Sequence, residues 1–275
     1  MSEEKYTEAA VRDKYKKLME YLAGLGSAAV AFSAGVDSTF LLKAAKDALG
    51  DKCIALTGKS DSYPERDFVR SREFCKNEGI RQIVFDPGEM QIEDYLKNAK
   101  DRCYYCKHAL FSKMLDIAKS EGINYVAEGS NMDDNGDYRP GLKAGSELHI
   151  LSPLRQAGLY KSEIRVLSKE LGLPTWNRPA MACLSSRFQY GERITPEKLH
   201  MIETCEEYLS DLGAWQYRVR VHENLARIEV PCEYFNLIME NRESIIEKFE
   251  TVGFDYVTLD LKGFRSGSGN IGIAH

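Results

Sequence analysis

The chain has 275 residues, 43% of them hydrophobic, with 37 Lys and Arg against 42 Asp and Glu for a net charge of −5. That length exceeds one small core and predicts a large domain with a lesser one. The acidic total argues against a protein whose main work is gripping nucleic-acid backbones. No apolar run reaches bilayer length, and Met1-Ser-Glu-Glu-Lys-Tyr6 lacks a secretory pattern, so a soluble cytoplasmic protein with neither nucleic-acid nor membrane partners is expected. Seven cysteines without an export signal read as reduced thiols.

In chain order, an amphipathic segment from about Tyr6 to Leu25 predicts a helix that stops at Gly24-x-Gly26. Apolar runs at Ala28–Phe32, Cys53–Leu56, Ile83–Phe85 and Tyr125–Ala127 predict strands. They alternate with helices starting near Asp37, Pro64, Tyr104 and Tyr160. This alternation predicts an α/β fold with a parallel sheet covered on both faces. Residues 175–193 have little periodicity and read as a long functional loop. Beyond it the pattern predicts a helix over Pro196–Leu212, strands near Gln216–Val221 and Leu225–Val230, a helix from Cys232 to Val252 and a strand at Tyr256–Leu261. The expected division is therefore 1–174, a 175–194 active-site loop, and a small α+β unit over 195–275. That last unit has too little core to be obviously independent, so a homo-oligomer is expected, and the tail from Arg265 is expected to be mobile.

The first strand breaks into Ser33-Ala34-Gly35-Val36-Asp37-Ser38-Thr39 and a helix follows at once. A strand, a small-residue turn and a helix start present backbone N–H groups and the positive helix end, which suits a phosphate. The string is not a Walker loop, because no lysine follows in that register. It resembles the S-G-G-x-D-S pyrophosphate loop of the N-type ATP pyrophosphatases, with Ala34 where that family usually has glycine. Positive φ at Ala34 would carry a penalty that glycine avoids.

Cys183 lies in the long loop beside Arg178, Arg187 and Arg193, where positive charge favours thiolate, although a free cysteine also packs as a small apolar residue. Arg218 and Arg220 stand two apart on a predicted strand and share a face; a solvated outer face and an anion site both remain open. Glu128-Gly129-Ser130-Asn131-Met132-Asp133-Asp134 follows a strand and offers hard oxygen ligands, or an ordinary turn. Cys103-Tyr-Tyr-Cys106 lacks the two further ligands of a zinc site; packing, redox work and a partial iron–sulfur site completed by Cys183 stay open. Cys53, Cys75, Cys205 and Cys232 read as core fillers.

Taken together, the Ser33 loop, Cys103-Tyr-Tyr-Cys106-Lys, Glu128-Gly-Ser-Asn131-x-Asp-Asp134, Cys183-Leu-Ser-Ser-Arg187 and Arg218-Val-Arg220-Val-His resemble the LarE-type ATP-dependent sacrificial sulfur transferases over roughly Ser33 to Val230. The resemblance implies an ATP pyrophosphatase-like domain that uses ATP and magnesium to adenylate a carboxylate of a pyridinium biscarboxylic acid mononucleotide during nickel-pincer cofactor synthesis. Cys183 thiolate would displace AMP, and loss of its Cα proton would release the sulfur as a thiocarboxylate and leave dehydroalanine. It further implies nucleotide contacts from Ser33 to Thr39 and from Gly58, Ser60, Gly129 and Asn131. Metal would fall to Asp37, Glu128 and Asp134, and substrate phosphate to Arg218 and Arg220. Arg187 would hold a carboxylate or lower the thiol pKa. A tRNA thiolase or an amide-forming ligase of the same superfamily, a cluster-dependent transferase using Cys103, Cys106 and Cys183, and a non-enzymatic nucleotide sensor are the competing readings.

Overall fold

The computed structural model describes residues 8–134, 140–179, 182–265 and 267–268; the expected helix start at Tyr6 and most of the tail beyond Arg265 lie outside them. Along the chain run α1 (Glu8–Gly24), β1 (Ala28–Ala31), α2 (Val36–Leu49), β2 (Cys53–Gly58), α3 (Glu65–Asn77), β3 (Arg81–Phe85), α4 (Glu93–Leu96), α5 (Arg102–Ser120), β4 (Val126–Ala127), α6 (Pro140–Glu147), α7 (Pro153–Gln156) and α8 (Lys161–Glu170). Then come α9 (Pro196–Asp211), β5 (Arg218–His222), β6 (Leu225–Glu229), α10 (Phe235–Glu240), α11 (Arg242–Thr251) and β7 (Tyr256–Leu259). No described helix is long and apolar enough to cross a membrane.

The chain divides into two compact units. The first gathers the described residues within 1–60, 65–89 and 103–180; the second gathers those within 61–64, 90–102 and 181–275.

In the first unit four parallel strands lie in the order β3-β2-β1-β4. Successive strand residues point to opposite faces. Val30 and Ala55 join a core with Leu18 and Leu22 of α1, Phe40 and Leu41 of α2, and Ile164 and Leu167 of α8. Ala29, Ile54 and Leu56 join another with Phe111, Met114 and Ala118 of α5. Both faces are covered, which is why β1 and, apart from Thr57, β2 carry no polar side chain rather than alternating. The chain steps outward from β1 to β2 and β3, then returns to β4 on the other side of β1. In an open α/β sheet that reversal opens a crevice at the carboxyl ends of the two strands, and here those ends lead into Ser33–Gly35 and Glu128–Asp134.

The second unit carries a three-stranded sheet, β5-β6-β7, with β5–β6 antiparallel and β6–β7 parallel. Thr195 caps α9 by accepting the Lys198 N–H at 3.3 Å, and Pro196 follows at a position whose N–H would have no helical partner. The continuous helix expected over 232–252 is broken. A 3-10 turn at Cys232–Tyr234 precedes α10, and α10 gives way to α11 at Asn241, whose backbone leaves the helical region (φ −102°, ψ 16°) and whose Nδ2 donates to the Leu237 carbonyl at 2.9 Å. Asparagine competes with the backbone in this way, and that ends the helix. The helix α6, with Pro140, Gly141 and Gly145 in its sequence, escaped the periodicity reading.

Candidate active site

In the first unit β1 hands the chain to a turn in which Ala34 is buried and left-handed at φ +54°, so the residue in the family's glycine position does take positive φ. Gly35 then caps α2 in extended geometry without a side-chain capping bond, which leaves first-turn amides facing the carboxyl end of the sheet. Ser38 shapes the turn: its hydroxyl donates to the Gly35 carbonyl at 3.2 Å and accepts the Ser33 N–H at 3.3 Å. The Ala34 carbonyl accepts Arg178 Nη1 at 2.9 Å, and Arg178 Nη2 pairs with Asp67 at 2.6 Å, both side chains being buried. Arg165 in turn donates to the carbonyls of Trp176 and Arg178.

The segment after β4 meets this turn. A Cβ at Gly129 would lie 3.1 Å from Ser38 N and 3.2 Å from the Asp37 carbonyl carbon, so any larger residue would push the two backbones apart by a few tenths of an ångström. Asn131 Nδ2 donates to Asp37 at 3.3 Å, the Asn131 N–H donates to Asp134 at 2.8 Å, and Lys161 Nζ pairs with Asp37 at 3.0 Å. Glu128 is buried and accepts the hydroxyls of Ser130 and Ser152, each at 2.8 Å. Gly58 ends β2, where a Cβ would strike Leu110 Cδ1 at 2.6 Å, and the Ser60 hydroxyl donates to Glu89. The turn thus gathers Ser33–Thr39, Gly129, Asn131 and Asp134, whereas Gly58 and Ser60 follow the neighbouring strand.

Among the described residues no group of three His, Cys, Asp or Glu side chains is assembled to hold a metal. Magnesium on a nucleotide needs only one or two carboxylates, with phosphate oxygens and water supplying the rest. Asp37, part-exposed in the first turn of α2 although Asn131 and Lys161 already reach its two oxygens, fits that need by its exposure; Glu128 is buried and its oxygens accept two hydroxyls.

In the second unit Cys183 is exposed and opens a 3-10 turn, Leu184–Arg187, anchored by the Leu184 N–H to the Ser62 carbonyl at 2.9 Å. Arg187 is fully buried. It forms a two-pronged ion pair with Glu206, Nε and Nη2 each at 2.8 Å, while its Nη1 donates to the carbonyls of Ala182 (2.8 Å) and Cys183 (3.0 Å) and to the Ser186 hydroxyl (2.9 Å). Burial works against its charge, but Glu206 outweighs this and holds the guanidinium above its ordinary pKa. Its side chain therefore faces backbone carbonyls and Glu206.

Arg218 and Arg220 share a face of β5, but that face is buried, which excludes the solvated reading. Arg220 pairs with the buried Glu229 at 3.1 Å and donates to the Ser186 carbonyl at 2.6 Å and the Ser268 hydroxyl at 2.9 Å. Arg218 lies over the Phe264 ring at 5.4 Å; burial and then the charge of Arg187 lead the effects that push its pKa down to about 10. Arg218 also donates from Nη1 to the Tyr217 carbonyl at 2.6 Å.

The thiols separate sharply. Cys53, Cys75 and Cys205 are buried, and burial raises their pKa, to about 12 for the first two. Cys232 is exposed rather than a core filler, because the chain leaves β6 at Pro231 and places it in the 3-10 turn. Cys103 is exposed and Cys106 half-buried in the first turns of α5.

No family model matches the chain. It is 37% identical over 95% of its length to the pyridinium-3,5-bisthiocarboxylic acid mononucleotide synthase of Lactiplantibacillus plantarum, 95% of which is covered. The chain belongs to this LarE family. An uncharacterised Synechocystis protein is 40% identical over 94% of the chain and 98% of that protein. One of the subunits of the glutamine-hydrolyzing GMP synthase of Archaeoglobus fulgidus is 27% identical over 78% of the chain and 74% of that subunit, which fits the wider pyrophosphate-loop superfamily.

Five polar residues of the LarE chain escaped the sequence reading. Lys161, Asp67 and the role of Arg178 support the Ser33–Thr39 turn, and Glu206 and Glu229 balance the buried arginines. Lys161, Arg178 and Glu206 pair with residues distant in sequence, which no local spacing signals.

Proposed function

We propose that this protein is an ATP-dependent sulfur transferase that makes the thiocarboxylate of a pyridinium mononucleotide, with Cys183 as the sulfur donor. The observation that carries the assignment is an exposed thiol on a short turn whose backbone is held by buried Arg187 and Arg220. The other lines of support are the LarE kinship and the strand–turn–helix start at Ser33–Thr39.

A substrate carboxylate oxygen attacks the α-phosphorus of ATP, pyrophosphate leaves and an acyl adenylate forms. The amides of the Ser33–Thr39 turn cradle the leaving phosphates, with Gly129 and Asn131 completing the wall. Magnesium would be held at Asp37, with Asp134 supporting it through Asn131, and would supply charge neutralisation on the phosphates. Cys183 Sγ attacks the activated carbonyl, AMP departs and a thioester joins substrate to protein. A base takes the Cys183 Cα proton, the Cβ–Sγ electron pair leaves with sulfur, and a thiocarboxylate and dehydroalanine result. Arg218 and Arg220 hold the mononucleotide phosphate. Gly58 and Ser60 are the proposed adenosine contacts. A homo-oligomer acting in the cytoplasm on this small molecule, without nucleic acid, completes the reading.

The Cys183→Ala variant tests the assignment. It should release pyrophosphate from ATP in the presence of the biscarboxylated mononucleotide and yield no thiocarboxylate; sulfur product from this variant would overturn the role of Cys183. One observation favours a second reading: Cys103 and Cys106 reach solvent one helical turn apart, as cluster ligands do. An iron–sulfur cluster on Cys103, Cys106 and Cys183 would give brown protein with visible absorption after anaerobic purification and an unchanged Cys183 after turnover, and colourless active protein would reject it.

A further inference from the structure

The Cys183 carbonyl oxygen receives two donors at 3.0 Å each, Arg187 Nη1 and the Ser186 N–H. We propose that this pair is an oxyanion site for the elimination step, so that Arg187 acts on the donor cysteine's own backbone rather than on the substrate carboxylate. The inference rests on the sacrificial reading of Cys183.

Its chemistry follows from where charge develops. Removing the Cα proton of a cysteine residue leaves an electron pair that delocalises onto the adjacent peptide carbonyl, as an enolate. The pair then returns to form the Cα–Cβ double bond as the Cβ–Sγ bond breaks and its electrons leave with the thiocarboxylate. The proton goes to the base, and no oxidant or reductant is consumed. A backbone Cα–H is a very weak acid, so the rate depends on how well the nascent enolate oxygen is stabilised.

The ground-state geometry suits that task. Nη1 has two N–H bonds and three acceptors, Ala182 O at 2.8 Å, Ser186 Oγ at 2.9 Å and Cys183 O at 3.0 Å. Before reaction the Cys183 carbonyl takes the longest and weakest share. As that oxygen becomes negative the guanidinium shifts its donation toward it, so the interaction strengthens in the transition state, which is what accelerates a step. Reorganisation is small because Glu206 fixes Nε and Nη2 and is itself fixed by the Val219 N–H at 2.9 Å. Glu206 is thus a positioning residue for Arg187.

The test follows the covalent state of residue 183 by intact mass and peptide mapping in full-length protein given ATP, magnesium and the biscarboxylated mononucleotide. Wild type should pass through the adduct to dehydroalanine. Arg187→Lys should form the adduct and release pyrophosphate normally but accumulate as the thioester, with elimination slowed about a hundred- to a thousandfold. Glu206→Gln, which keeps an acceptor for Arg187 and for Val219 should Arg187→Lys not fold, should slow elimination about tenfold with adduct formation unchanged. A purely structural role predicts no adduct build-up. Dehydroalanine formed at the wild-type rate, or a folded variant that never forms the adduct, overturns the oxyanion site alone; wild type that forms neither adduct nor dehydroalanine overturns the sacrificial reading as well.

Discussion

Arg178 offers the sharpest probe of the Ser33–Thr39 turn. It bridges the Ala34 carbonyl and the Asp67 carboxylate, and its truncation to alanine strands Asp67 in a buried setting with Arg70 at 3.2 Å as a half-exposed partner. Breaking a buried pair costs about 3–5 kcal/mol, and because Arg70 compensates in part we expect a loss of about 3 kcal/mol in urea unfolding. The functional effect is separable. Ala34 sits at φ +54°, a conformation that disfavours an L side chain by about 1–2 kcal/mol. Without Arg178 the turn relaxes out of the left-handed region, and the binding-competent fraction falls about five- to thirtyfold, which raises KM for ATP by the same factor. Glycine carries no such bias, so Ala34→Gly in the Arg178→Ala background should restore most of the ATP KM in a pyrophosphate-release assay while leaving the stability loss in place. An unchanged KM in Arg178→Ala, or a double variant no better than the single, would show that Arg178 does not hold Ala34 in its left-handed conformation.

Three further outcomes are expected. Gly129→Ala should raise the Kd for ATP and lower stability by about 1–3 kcal/mol, since its Cβ meets the backbone of Asp37 and Ser38 rather than a side chain that can swing aside; isothermal titration with ATP and urea unfolding check both. Arg218→Gln should weaken mononucleotide binding about ten- to a hundredfold, the worth of a hydrogen bond to a charged group, and should abolish the thermal stabilisation that the mononucleotide gives wild type. His222, whose pKa burial and then Arg227 lower from 6.5, hydrogen-bonds Gln189 at 3.0 Å. Because the unfolded chain takes up the proton first, stability should fall as pH drops below about 6.5, and His222→Gln should flatten part of that fall in urea midpoints measured between pH 7 and 5.

The sheet was legible because its strands are apolar runs cut by clear punctuation, and the strand–turn–helix at Ser33–Thr39 because Gly35, Asp37 and Ser38 follow such a run at once. Kinship with LarE was legible from the order of five short motifs. The long-range polar wiring was not. Arg187 looks from the sequence like a free cation beside a cysteine; it is bound to Glu206, nineteen positions away, and to backbone carbonyls. The two arginines of β5 have the period of an exposed strand face, and only the burial of Glu229 and Glu206 reveals why such a face can be closed. The break at Asn241 came from a side chain competing for its own helix, which a hydrophobic period does not register.

The most direct measurement is the mass of the whole protein before and after a single turnover with ATP, magnesium and the biscarboxylated mononucleotide. The expected result is a loss equal to one hydrogen sulfide, mapped by fragmentation to position 183 and stoichiometric with thiocarboxylate formed. Thiocarboxylate formed over many turnovers with Cys183 intact would contradict it.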